Sequence, residues 1–292
     1  MKLLDFIVIG AQKSGTTALH MYLRENPNIC VPPEKEAIFF SDDSRYEKGY
    51  EWFESEFFSG FDYKKIWGKA TPAYSCYSEK SSLRIKEHNN EVKIIYLVRD
   101  PVSRSISQFR MNKKRGVESR DINELFVSLA DNGEAERCRE MPTETNSYLV
   151  WSEYTRILRD YCWVRPGNLL VMSDEYLSNS TDEAMKVISK FLGVGFNESE
   201  IYGKRFHTGG VRKYKAFDVL RKITALKILW RLIIPFRYRR RISFWLDQWN
   251  TKQDSGRVVV MDIEVKRLLE VFFEKECTLI NDLNNNGGYI IR

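Results

Sequence analysis

Three histidines in 292 residues, at the unrelated positions His20, His88 and His207, leave little from which to build a zinc site, because such sites draw on clustered His and Cys ligands. No metal is expected. The five cysteines (Cys30, Cys76, Cys138, Cys162, Cys277) are scattered, odd in number and without the close pairing of metal knuckles. They read as reduced core thiols of a cytosolic protein, not as a disulfide framework. No stretch reaches the roughly 18–20 consecutive apolar residues of a membrane span. The run Leu3–Ile9 is short, contains Asp5 and leads into a glycine loop instead of a small-residue cleavage site. It reads as a buried strand, not a secretory leader. Linkers rich in Gly, Pro or Ser are missing, and so are internal repeats. A single domain over 1–292 is therefore expected, with 216–292 a helical extension packed on it.

What is present is enough for a large core. Hydrophobic residues make up 43% and aromatics 13%, which excludes a disordered or low-complexity chain. The net charge of +6 is uneven: residues 204–250 hold 13 Lys and Arg against Asp218 and Asp247, and the rest of the chain is mildly acidic. A basic region of this kind points to an anionic partner.

Leu4–Ile9 is a continuous apolar run closed by Gly10, as in a parallel strand buried on both faces. Ser14–Glu25 follows with helical spacing and stops before Pro27. Lys93–Val98 is a second buried strand, and Pro101 opens a helix to about Arg115. Ile66–Ala70 and Leu169–Ser173 are further strands. Helical spacing marks Glu144–Trp163, Thr181–Leu192 (ended by Gly193) and Val265–Leu283. Residues 216–234 form an amphipathic basic helix broken at Pro235. This alternation predicts an α/β fold: a P-loop-type three-layer domain with a mostly parallel central sheet and extra C-terminal helices.

Between the first strand and its helix lies Gly10-Ala11-Gln12-Lys13-Ser14-Gly15-Thr16-Thr17. Backbone N–H groups and a helix N-terminus in this setting make a nest for phosphate or sulfate. The spacing is close to a Walker A loop, which places Lys directly after the second glycine. Here that position is Thr16 and the lysine stands at Lys13. The lysine still faces an anion, while the usual magnesium arrangement is incomplete. A second anion site follows from Arg99-Asp100-Pro101 at the carboxyl end of a strand, where α/β folds bind ligands. Arg99 offers a bidentate fork, and Ser107, two turns into the next helix, a hydroxyl.

The two segments together resemble the PAPS-dependent sulfotransferase family, in its bacterial type and its heparan-sulfate and carbohydrate branch. PAPS is 3′-phosphoadenosine 5′-phosphosulfate. Further segments agree with this resemblance. Pro32-Pro33-Glu34-Lys35-Glu36-Ala37-Ile38-Phe39-Phe40 is similar to a Lys-Glu-x-x-Phe-Phe segment, and Thr71-Pro72-Ala73-Tyr74 to a Thr-Pro-x-Tyr turn. His207-Thr208-Gly209-Gly210-Val211-Arg212 resembles a loop that closes over the nucleotide, and Phe191-Leu192-Gly193 a characteristic helix end. The likeness runs from about residue 5 to about 213.

The resemblance implies that PAPS is the donor, and no metal is required if cationic side chains and a helix N-terminus supply the field. It implies donor contacts from Gln12, Lys13, Ser14, Gly15, Thr16 and Thr17, from Arg99 and Ser107, and from Thr208, Gly209, Gly210 and Arg212. It points to Glu36 as general base, with Lys13 at the leaving phosphate oxygen. Lys35, Lys69 and Tyr74 become candidate substrate-site residues. Lys69 stands one residue before the position of the family's lysine, which is Ala70 here, and on a strand that shift points the side chain to the other face.

Sulfuryl transfer in line between two oxygens rests on positioning and charge stabilisation. Acceptor residues are expected in 41–65 (Tyr46, Tyr50, Trp52, Phe53) and 110–147. The acceptor is a hydroxyl, or an amine, of a carbohydrate or small metabolite, in a cytoplasmic protein with no nucleic-acid partner. Two rival readings stay open. One is a P-loop kinase or other NTPase, which needs Mg-ATP. The other is a non-catalytic anion-binding protein using 204–250.

Overall fold

The computed structural model describes residues 1–203, 210–212, 251–253 and 261–292. The chain divides into two compact units, Met1–Phe206 with Val259–Arg292, and His207–Val258. The first unit is built on a six-stranded sheet in the order β2–β3–β1–β4–β5–β8. Its strands are β1 (Phe6–Gly10), β2 (Ile29–Cys30), β3 (Ile66–Ala70), β4 (Lys93–Val98), β5 (Leu169–Ser173) and β8 (Tyr289–Ile291). Strands β1 to β5 pair in parallel, and β8 runs antiparallel to β5. In the second unit, β6 (Gly210–Arg212) pairs antiparallel with β7 (Thr251–Gln253).

The central strands are apolar throughout because both faces of the sheet are covered. Successive side chains alternate between faces. Ile7, Ile9, Ile94, Tyr96 and Val171 join one cluster with Phe39, Phe53, Tyr154 and Leu283. Phe6, Val8, Ile95, Leu97 and Met172 join the other with Leu19 and Leu23 of helix Thr16–Glu25 and Ile188 and Leu192 of helix Thr181–Leu192. Each fully buried aliphatic side chain contributes about 1.5–3 kcal/mol. Phe6 stands opposite Gly68 in register, and its ring occupies the space a Cβ at 68 would need. This is the three-layer α/β architecture expected from the alternation of strands and helices.

Beyond small shifts at element ends, such as β1 at Phe6–Gly10 in place of Leu4–Ile9, the elements differ from expectation in several places. The expected helix Glu144–Trp163 is reduced to a 3-10 turn, Val150–Ser152, and helix Tyr154–Asp160. Before it, backbone carbonyls are taken up by side chains of helix Pro101–Arg115: Glu144 O accepts from Gln108 Nε2 (3.0 Å) and Asn112 Nδ2 (2.9 Å). Hydrogen bonds made this way replace those a helix would need. The expected helix Val265–Leu283 is two helices, Ile263–Phe272 and Glu274–Asn285, jointed at the buried Phe273. Strand β8 was not foreseen, being three residues long and only partly buried.

β1 lies between β3 and β4, so the winding of the sheet reverses at its edges. The carboxyl ends of β1, β3, β4 and β5 lead into Gly10, Thr71, Arg99 and Asp174. Ligands of open α/β sheets bind at such a switch point.

Candidate active site

Gly10 ends β1 with φ 154°, and a Cβ there would collide with Ser75 Oγ. The chain then turns tightly: Ala11 N donates to Leu97 O (2.6 Å) and Ser14 N to Ala11 O (3.2 Å). Gly15, at φ 81°, starts helix Thr16–Glu25 with no side-chain cap and no acidic residue in the first turn. Helix N-termini leave N–H groups without intrahelical partners and carry partial positive charge. Among the described residues this one has no side-chain cap, and its first turn holds no carboxylate to absorb that charge. Within the loop, Ser14 Oγ and Gln12 Oε1 are buried and find no hydrogen-bond partner among the described residues. Buried polar atoms are ordinarily paired, so the loop is built to be completed by a polar ligand. A phosphosulfate oxygen fits the Ser14 hydroxyl, which can donate to it, whereas Gln12 Oε1 accepts and calls for a donor.

Lys13 sits in the same loop with φ 71°, a left-handed conformation uncommon for a residue with a Cβ. Its ammonium is held below the usual lysine range, first by burial and then by the charges of Lys35, Arg99, Arg115 and Arg104. Five cations are thus gathered around one loop.

Arg99 connects that loop to β4. Its Nη1 donates to the Lys13 carbonyl (3.3 Å), and its Nε pairs with Asp174 Oδ2 (3.5 Å). Its own carbonyl accepts from Tyr154 OH (2.8 Å). Asp174 follows β5 directly, and burial lifts its carboxyl to about 6 against the opposing charge of Arg99. Helix Pro101–Arg115 starts cleanly, with Asp100 accepting from Ser103 N (2.7 Å) and Pro101 at its first position. Ser107 lies half-buried along it. The two anion loops read from the sequence therefore meet.

Glu36 is held by the end of β3. Glu36 N donates to Ala70 O (3.1 Å), and the Ala37 carbonyl accepts from Thr71 Oγ1 (3.2 Å) and Tyr74 OH (2.6 Å). Lys69 Nζ donates to the Glu34 carbonyl and stands 4.5 Å from the Phe57 ring centroid. These bonds fix a backbone on which Glu36 takes φ 66°. Its carboxylate, about half exposed, bonds Lys35 Nζ at 2.8 Å. Among the described residues, Lys13 and Glu36 are the non-glycine positions with positive φ. Backbone strain of this kind is maintained where surrounding structure over-determines it, often at functional sites.

Several sequence candidates stand elsewhere. Tyr74 and Lys69 are fully buried, and both bond backbone carbonyls of residues 34–37. The aromatic residues expected to frame an acceptor belong instead to the core: Phe53 is buried, and Tyr46, Tyr50 and Trp52 pack around it and Phe39. Phe39 and Phe40 are large apolar side chains beside the sheet, and residues 43–58 close over them. Gly210 and Arg212 lie in β6. Thr208, Gly209 and the basic stretch 216–241 lie outside the described residues. Sequence reasoning missed Asp174 and Arg104. A polar residue directly after a parallel strand was the available signal for the first.

Among the described residues, no group of His, Cys, Asp and Glu is placed to hold a metal ion. No helix among them is long and apolar enough to cross a membrane.

A parallel sheet with an uncapped anion loop at its switch point and an arginine on the neighbouring strand defines a P-loop-type α/β protein. Residues 3–254 match the sulfotransferase domain family, and the chain belongs to that family. The membrane-associated sulfotransferase kil1 of Dictyostelium discoideum is 38% identical over 110 residues, 37% of this chain and 23% of that protein. Mouse heparan sulfate glucosamine 3-O-sulfotransferase 5 is 36% identical over 104 residues, 35% of this chain and 29% of that protein. Each match thus covers less than a third of the relative's length. A sulfotransferase structure from Alicyclobacillus acidocaldarius superposes with TM-score 0.58 at 24% identity, covering 68% of this chain and 84% of that one. This likeness establishes the fold.

Proposed function

We propose that the chain transfers a sulfuryl group from PAPS to a hydroxyl, or an amine, of a carbohydrate or small-metabolite acceptor. The observation that carries this reading is the Arg99–Lys13 connection, which draws two anion-binding loops into one site suited to a donor with anionic groups at two ends. Relatives named for heparan sulfate modification support a saccharide acceptor. PAPS, when bound, supplies the sulfuryl group and a phosphate as leaving group.

The loop N–H groups and Lys13 hold the phosphosulfate, while Arg99 and Ser107 hold the 3′-phosphate. Glu36 takes the proton of the acceptor as its oxygen or nitrogen attacks sulfur. The new bond to sulfur forms as the bond from sulfur to the phosphate oxygen breaks, and Lys13 offsets the charge growing on that oxygen. Fixed cations and a helix N-terminus supply the field that a divalent ion supplies in phosphoryl transfer.

Calorimetry with the product nucleotide, adenosine 3′,5′-bisphosphate (PAP), in magnesium-free buffer tests the donor. Labelled PAPS offered to a panel of saccharides, phenols and amines tests the transfer. Binding of PAP without magnesium and label in an acceptor are expected. Tight Mg-ATP binding with none for PAP would transfer the site to the kinase class.

A further inference from the structure

Helix Pro101–Arg115 carries a second guanidinium, five residues after Arg99, in quite different surroundings. Arg104 is fully buried. Its Nε donates to Ser152 Oγ and its Nη1 to Gln108 Oε1 (2.9 Å). Its Nη2 donates to the Tyr148 carbonyl and reaches Ser105 Oγ (3.4 Å). Every one of these partners is neutral. Among the described residues, no carboxylate pairs with Arg104.

That is an unusual arrangement, because a buried arginine keeps its proton and an uncompensated ion in low dielectric is costly. Simple clamping of the 144–152 segment does not call for a charge. Gln108 and Asn112, on the same face of the helix, hold the Glu144 carbonyl with neutral amides. The buried carboxylates beside this seam are directed elsewhere: Glu118 bonds Arg120 Nη2 (2.6 Å) and accepts from Tyr148 OH (3.0 Å), and Glu153 accepts from Arg139 Nη2 (2.6 Å) and Arg156 Nε (2.7 Å). The Arg104 charge is instead felt at the donor loop. Arg104 stands in the first turn of the helix that opens just after Arg99 and one turn before Ser107, and its charge adds, least of the four cations, to the lowering of the Lys13 ammonium.

We infer that Arg104 is a positioning residue for the donor: a buried cation, locked by four neutral partners, whose counter-charge is the anionic nucleotide itself. The inference rests on the donor reading above. Arg104 does not touch the ligand. It raises the potential of the site in which Lys13, Arg99 and Ser107 make contact, and its hydrogen bonds fix the helix turn that carries Ser107. A fixed charge with no carboxylate partner among the described residues needs no reorganisation when the ligand arrives, which is the basis of electrostatic preorganisation.

The test separates charge from packing. Gln108→Glu places a carboxylate where Gln108 Oε1 now accepts from Arg104, neutralising the cation while keeping that bond; it gives up the Gln108 Nε2 bond to the Glu144 carbonyl, a loss that Gln108→Leu reproduces without the charge and so controls for. Affinities for PAP, adenosine 5′-phosphate and adenosine are measured by calorimetry in wild type, Gln108→Glu, the Gln108→Leu control and Arg104→Gln. The expected losses in Gln108→Glu and Arg104→Gln grade with ligand charge: about tenfold for PAP, about threefold for adenosine 5′-phosphate and little for adenosine. Equal losses for all three ligands, or none, in a wild type that binds PAP would overturn the inference and leave the donor reading standing. A wild type that fails to bind PAP overturns the donor reading and this inference with it. Should Arg104→Gln not fold, Gln108→Glu alone decides.

Discussion

Arg99 grips the backbone of the residue whose side chain it repels: its Nη1 donates to the Lys13 carbonyl at 3.3 Å, while its charge disfavours the Lys13 ammonium. The loop is thereby held in place with its two cations crowded, a state that an anionic ligand relieves.

Lys13→Ala removes the group assigned to the leaving oxygen. Loss of one such electrostatic contact lowers kcat by about 10²–10³. The backbone nest, Arg99 and Ser107 remain, so PAP affinity is expected to fall far less than kcat. Single-turnover kinetics beside calorimetry measures both. Equal losses in the two would make Lys13 a binding residue only.

Glu36→Gln keeps size and the reach to Lys35 but removes the base. Transfer is expected to fall by about 10²–10⁴, with PAP affinity unchanged. Wild-type turnover in this variant would remove Glu36 from the chemistry.

Tyr74→Phe deletes the 2.6 Å bond to the Ala37 carbonyl and leaves Thr71 as the remaining hydroxyl on it. Urea unfolding is expected to show a loss of about 1 kcal/mol. Turnover should fall severalfold, because the backbone beside Glu36 loosens, while PAP affinity holds.

Asp174→Asn should reveal the cost of a buried carboxylate. The carboxyl titrates near 4 unfolded and near 6 folded, so in that window the folded chain binds the extra proton. Stability therefore falls as pH rises from about 4 to 6, and the loss persists above. The asparagine variant is expected to be more stable than wild type at pH 8, by on the order of 1–3 kcal/mol, with the gain vanishing below pH 4. Urea titrations at pH 4, 6 and 8 check this. A variant less stable at every pH would mean that the pair with Arg99 outweighs burial.

Gly68→Ala sets a methyl against the Phe6 ring. Overpacking of this kind costs about 1–3 kcal/mol, and Phe6→Leu in the same chain should recover part of it. Thermal unfolding of the single and double variants measures the coupling.

Strands β3, β4 and β5, helix Thr181–Leu192 and the places of the loops after β1 and β4 were legible in the sequence because their signals are local: unbroken apolar runs, Asp100-Pro101, Gly193 as a cap. Asp174 was not, since its partner lies far away in the chain and only the pairing of β4 with β5 joins them. The packing of Tyr46, Tyr50 and Trp52 around the buried Phe53 and Phe39 was not legible, because an aromatic-rich segment has the same composition whether it lines a pocket or closes a core. No residue pattern announced the left-handed backbone at Lys13 and Glu36, since glycine usually marks that conformation and neither position is glycine.

Those two positions set the protein's robustness against its purpose. Each bears a side chain where the backbone favours none, and Lys13 adds a desolvated charge among other cations. On the roles proposed for Lys13 and Glu36, selection for thermal tolerance alone would favour glycine at both, arriving at a sturdier fold without the groups assigned to the chemistry. A screen for stabilised variants of this chain should therefore be scored on turnover, because its most attractive hits in melting temperature will include its most thoroughly disarmed ones.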